Sequence, residues 1–110
     1  MENLFSYGTL QFKKVQQETF GRILNGKKDI LRAYKLKDLI IKDKNVINSS
    51  GINTHPIIYY TGEKKDFVNG ILFNVTELEI IKADSYEVSE YKRVKVKFES
   101  GNNGWVYIEK

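Results

Sequence analysis

Two carboxylates near the end of one predicted helix, Asp84 and Glu87, have the types and spacing to move protons. On an ideal helix Ile80, Ile81, Asp84 and Glu87 share one face, because Asp84 follows Ile80 by four and Glu87 follows it by seven. Burial beside isoleucine disfavours the charged form, and a second acid one turn away raises one of the pair further. Such a group shuttles protons near neutral pH. The same spacing also fits a helix that ends by Tyr86, with Asp84 and Glu87 left in an exposed turn or paired with Lys92 or Arg93. Spacing alone does not choose. The second notable segment is Leu4 to Leu10, LFSYGTL, a short strand running into Tyr-Gly-Thr. A turn of that kind presents free backbone N–H groups that can hold a carboxylate or an oxyanion, although an ordinary strand end reads the same way.

The elements that must position these groups follow from periodicity. Leu4, Phe5 and Tyr7 read as a buried strand with Gly8 at the bend. Phe12, Val15 and Phe20 suggest a short helix within Gln11 to Phe20, closed by Gly21. Ile30 to Leu36 and Leu39 to Ile41 read as two extended segments, and Asp43 to Thr54 as a polar loop. Pro56 opens a strand over Ile57 to Tyr60, and Phe67 to Val75 is a core strand with Gly70 as a bulge or bend. Thr76 with Glu79 three residues on is a capping box, which starts a helix over about 77 to 86. Tyr91 to Phe98 and Trp105 to Ile108, joined through Gly101 to Gly104, form a terminal hairpin. Many strands and few helices make an α+β domain, a small mixed β-barrel or strongly curved sheet with a few short helices.

Composition narrows the classes. The 110 residues, 41% hydrophobic and 29% charged, suit one domain over 1–110. With no Cys there is no disulfide framework, thiolate zinc site or cysteine nucleophile, and one His cannot build a His-rich metal site. No apolar stretch approaches a membrane span and no leader-like segment follows Met1, so a cytoplasmic protein without membrane contact is expected. Of the net +4, residues 1–50 carry 10 basic and 5 acidic groups, and residues 51–110 carry 8 and 9. The lysines are dispersed among apolar residues, which reads as a solvated surface and not a nucleic-acid interface.

Taken together, LFSYGTL and the later ILFNVTELEIIKADSYEVSEYKRVKV resemble the gamma-glutamylcyclotransferase superfamily, in particular its small, avirulence-induced-gene-like branch. That family opens with a strand into Tyr-Gly-Ser/Thr-Leu, here Tyr7 to Leu10, and carries a residue before Pro and an apolar run, here His55 to Ile58. Its Gly-x-Leu/Val-Phe/Tyr-x-Val/Ile strand matches Gly70 to Val75, and its Leu-Asp-x-x-Glu-Gly and Tyr-x-Arg-Val match Ala83 to Val88 and Tyr91 to Val94. Ala83 and Val88 stand where the family has Leu and Gly.

The resemblance implies a curled sheet with a cavity floored by Tyr7, Gly8, Thr9 and Leu10, and Glu87 as general acid/base, with Glu90 as the fallback. It implies substrate contacts from Tyr91 and Tyr107, no metal and no cofactor. The implied reaction releases 5-oxoproline from a small γ-glutamyl amine or γ-glutamyl amino acid. The alternative is a non-catalytic small-ligand-binding module of the same fold, and oligomeric state stays open.

Overall fold

The computed structural model describes residues 1–40, 54–87 and 89–110, so the polar loop expected between Asp43 and Thr54, like Val88, lies outside the described residues. Among the described residues, seven strands and two helices follow in the order β1 (Glu2–Ser6), α1 (Lys13–Phe20), β2 (Asn25–Arg32), β3 (Tyr34–Ile40), β4 (Thr54–Tyr60), β5 (Phe67–Val75), α2 (Glu77–Tyr86), β6 (Tyr91–Lys97) and β7 (Asn103–Glu109). A 3-10 turn at Thr9–Gln11 precedes α1.

Five strands form a mixed sheet in the order β2-β5-β1-β7-β6, and β3 pairs with β4 in a separate ribbon that packs on β7. All the sheet's ladders are antiparallel except β1 with β7. The sheet is curled and open, of the α+β class expected from the sequence. Alternation along its strands feeds two cores. On one face Leu4, Phe73, Val75 and Tyr107 meet Val15, Phe20, Ile80 and Ala83 of the helices. On the other, Phe5, Leu72, Val106 and Ile108 meet Tyr34, Ile58 and Phe98, with the rings of Phe5 and Phe98 stacked at 4.8 Å.

Two local expectations need correction. The break in the Ile30 to Ile41 stretch falls at Ala33, between β2 and β3, and not after Leu36. Ala33 takes a left-handed φ of 71°, held by its N–H donating to Asp66 O and its carbonyl accepting from Thr61 and Gly62 N–H. Gly70 is no bulge, because β5 keeps unbroken register with β1 and β2. It is small because a Cβ there would lie 2.5 Å from the Phe5 ring and from Ser6 O. The remaining elements match their expected ranges closely. The helix after Thr76 runs over Glu77–Tyr86, with both hydrogen bonds of the capping box present.

Candidate active site

The pocket begins where β1 leaves the sheet. Leu4, Phe5 and Ser6 are buried, which fixes the strand end, and Ser6 Oγ accepts from Gly8 N–H at 3.3 Å. Tyr7 turns across the sheet and donates to Tyr107 O at 2.6 Å. The 3-10 turn that follows leaves the Thr9 and Leu10 amides without a partner inside it, as at any helical start. Two contacts hold the turn still. Thr9 Oγ1 and Tyr86 Oη share a hydrogen bond of 2.7 Å, and the buried Gln16 amide donates to Leu10 O while accepting from Leu24 N–H, both at 2.9 Å. Gly8 lies against the ribbon: a Cβ on it would sit 3.1 Å from Pro56 Cγ.

Glu87 reaches the same pocket from the other side. The capping box starts α2, Glu79 also takes a two-pronged contact from Arg22 at 2.7 and 2.8 Å, and Ile80 and Ala83 bury the inner face. The helix ends at Tyr86. Glu87 is extended (φ −73°, ψ 143°), its N–H still donating to Ala83 O, and its side chain turns inward. One pocket is lined by Tyr7, Gly8, Thr9, Leu10, Glu87, Tyr91 and Tyr107, so the sequence-predicted site residues converge there, together with Phe5, Ser6, His55 and Pro56. The cavity is small, about 20 Å³, room for one water, and it is partly open to solvent. A wider hollow over the β2–β5 side holds Asp29, but that carboxylate is already taken by the Ser100 N–H and hydroxyl.

The expected helix face is only half right. Ile80 is buried but Ile81 is 60% exposed. Asp84 points outward to Arg93, whose Nε and Nη2 donate at 2.8 and 3.0 Å. Glu90 is exposed and does not line the pocket. Each of the two arrangements left open by spacing therefore describes one acid: Asp84 is paired at the surface and Glu87 is turned in.

The electrostatics follow from that division. Burial, and after it the Asp84 charge, pushes the Glu87 carboxyl up to about 8. For Asp84, burial pushes upward, but hydrogen bonds from Arg93 and Tyr107 outweigh it and hold the carboxyl below its usual range. Burial first, with neighbouring negative groups, raises the Tyr7, Tyr91 and Tyr107 hydroxyls above the ordinary tyrosine range, so they stay neutral donors. Their protons are committed: Tyr7 to Tyr107 O, Tyr91 to Pro56 O at 2.6 Å, and Tyr107 to Asp84 Oδ1 at 2.7 Å. Tyr91 and Tyr107 both line the pocket. Among the described residues no three His, Asp or Glu side chains converge as metal ligands.

The sequence pattern did not single out Gln16, and it used His55 only as a motif marker. His55 is buried in the pocket wall. A polar residue next to Pro in an apolar run was the available signal for His55; Gln16 had none.

A chain with this geometry has known counterparts. A solved gamma-glutamyl cyclotransferase superposes with a TM-score of 0.77 at 14% identity, covering 99% of this chain and 66% of that one. An Arabidopsis thaliana protein solved in solution superposes at 0.74 with 21% identity, covering 98% and 61%. A uropathogenic E. coli-specific protein superposes at 0.69 with 18% identity, covering 99% and 79%. This chain thus spans about two thirds or less of the length of the first two, and at these identities the likeness establishes the fold. No curated protein sequence matches this one. The sequence does match, over residues 4–110, the family model described as gamma-glutamyl cyclotransferase, AIG2-like, and with that match the chain belongs to this family.

Proposed function

We propose that this chain is a metal-independent, cytoplasmic cyclotransferase that forms 5-oxoproline from a small γ-glutamyl amine or γ-glutamyl amino acid, with Glu87 as general acid/base. The observation that carries the reading is a carboxyl pushed up to about 8 at the wall of a pocket whose floor is the Tyr7–Leu10 turn. Near neutral pH such a group both takes and returns a proton.

The reaction is internal to the substrate. The ionised form of Glu87 takes a proton from the substrate α-ammonium, and the freed amine attacks the γ-carbonyl carbon. A C–N bond closes the five-membered ring and the carbonyl electrons move to oxygen. Backbone N–H groups of the Tyr7–Leu10 turn hold that oxyanion and the α-carboxylate. As the carbonyl re-forms, the original amide C–N bond breaks, Glu87 returns its proton to the departing nitrogen and then carries the second proton of the ring nitrogen to the same group, which leaves as an ammonium. No proton is gained or lost over the cycle. The Tyr91 and Tyr107 oxygens, with their own protons committed elsewhere, accept from the α-ammonium and hold it toward the carbonyl.

The small cavity, about 20 Å³, favours a second reading, a ligand-binding module of the same fold without turnover. One assay separates them: release of 5-oxoproline from a panel of γ-glutamyl dipeptides, γ-glutamyl amines and glutathione, wild type beside Glu87→Gln. Turnover is expected from the wild type, with a loss of about 10²-fold or more in the variant. An unchanged rate removes Glu87 from the mechanism, and no turnover across the panel leaves the binding module.

A further inference from the structure

Arg93 and Tyr107 are direct cross-strand partners in the β6–β7 ladder, yet both reach out of it to the same carboxylate on α2. Asp84 Oδ1 accepts from Tyr107 Oη at 2.7 Å and from Arg93 Nε at 2.8 Å, and Oδ2 accepts from Arg93 Nη2 at 3.0 Å. The Arg93 guanidinium lies 4.2 Å over the Trp105 ring, whose Nε1 donates to Glu2 Oε1 at 2.9 Å. A planar guanidinium held on two sides is a fixed clamp and not a loose surface ion pair. The clamp ends in the pocket, because Tyr107 lines it beside Glu87. We propose, on top of the function argued above, that Asp84 is a positioning residue: clamped by Arg93 and Tyr107, it sets how readily Glu87 takes and gives its proton.

The physical argument is one of placement. Asp84 stands one helical turn before Glu87, with its charge fixed in place by three hydrogen bonds. The groups that face Glu87 are Tyr7 beyond β1, His55 on β4, Tyr91 on β6, Tyr107 on β7, and Tyr86 and Asp84 on α2. The tyrosines are held neutral. Asp84 is accordingly the fixed negative charge acting on Glu87, and it adds to burial in favouring the protonated acid. Arg93, bonded to both oxygens of Asp84, offsets part of that charge. The two residues therefore push Glu87 in opposite directions, which an ordinary structural brace between α2 and the hairpin would not do.

The test reads the Glu87 carboxyl directly, by carbon-detected NMR of the full chain with labelled Glu, with His55 followed in the same samples. In Asp84→Asn the Glu87 midpoint is expected to fall by about one pH unit, the scale set by one neighbouring charge. In Arg93→Gln it is expected to rise, and Arg93→Lys is expected to return it toward the wild type. The acid limb of 5-oxoproline release is expected to move with it in each variant. Circular dichroism identifies the variants that fold, and Arg93→Gln against Arg93→Lys decides the matter if Asp84→Asn does not. Midpoints that stay put in folded variants, with changes in Tm alone, overturn the proposal and leave a brace. Midpoints that move as stated without any turnover uphold it and overturn the cyclotransferase reading instead.

Discussion

Glu87 carries its own stability signature apart from any reaction. Its folded value, about 8, lies above its ordinary 4.5, so the folded state binds this proton more tightly than the unfolded one. That contribution is fully present below about 4.5 and is lost as pH rises through about 8. Moving a carboxyl midpoint by one pH unit corresponds to about 1.4 kcal/mol, and 1 kcal/mol moves Tm by about 4–8 °C in a domain of this size. Glu87→Gln is neutral at every pH, so calorimetry is expected to find its Tm several degrees above the wild type at pH 9 and close to it at pH 4.5. A Tm difference independent of pH would mean the carboxyl is not desolvated. This is the familiar cost of placing a functional acid in a pocket wall.

At the scale of elements, α2 is held in place by Glu79, and with it Glu87. One carboxylate accepts from the Thr76 N–H at the helix start and from the Arg22 fork. The Arg22 hydrogen bonds dominate in holding Glu79 down to about 2, so its stabilisation is present above about 4.5 and is lost as pH falls toward 2. Because the Arg22 side chain is 37% exposed, solvent screens part of this. Glu79→Gln is expected to cost about 1 kcal/mol at pH 7 and nothing at pH 2, measured by urea unfolding. An equal cost at both would assign the effect to packing. Ala33 illustrates the opposite kind of element boundary. A left-handed alanine costs roughly 1–2 kcal/mol, and three backbone hydrogen bonds around it offset that, so the corner between β2 and β3 exists because of its neighbours. Ala33→Val, adding a branched Cβ at that φ, is expected to lower stability by about 1 kcal/mol or more in the same unfolding experiment.

At the scale of the molecule, the pocket is the seam between the five-stranded sheet and the β3–β4 ribbon. Pro56 sits in β4, where one edge faces away from β3 and the missing N–H breaks no ladder. Its carbonyl accepts from Tyr91 on β6 and its ring rests on Gly8 beyond β1, so one residue joins ribbon, sheet and loop. Gly8→Val would press on Pro56 and part that seam. Misplacement of about 1 Å at a site that works by orientation costs on the order of 10²-fold. The expected result is loss of 5-oxoproline release with the chain still folded by circular dichroism. Full activity would reduce the loop to scaffold.

The sequence by itself determined what short-range physics encodes. Thr76 and Glu79 marked the start of α2 because a capping box is built within one turn, and the β6–β7 hairpin was legible because alternation and its turn lie within about twenty residues. It also drew Tyr7 to Leu10 and Glu87 together through a motif order. What it could not settle were choices made by distant neighbours. Gly70 reads as a bulge until the Phe5 ring comes against it across the sheet, and Ala33 reads as mid-strand until Asp66, Thr61 and Gly62 bond to it. Helical periodicity put Asp84 and Glu87 on one stripe, but the helix ends between them, and that break sends one acid to Arg93 and the other inward. The tertiary structure alone decided which of the two acids turns into the pocket and which is paired with Arg93. The walls around Glu87 include Tyr7, His55, Tyr91 and Tyr107, on four separate segments of the chain. Both burial and Coulomb interactions act over a few ångströms of space, a distance that sequence separation does not measure.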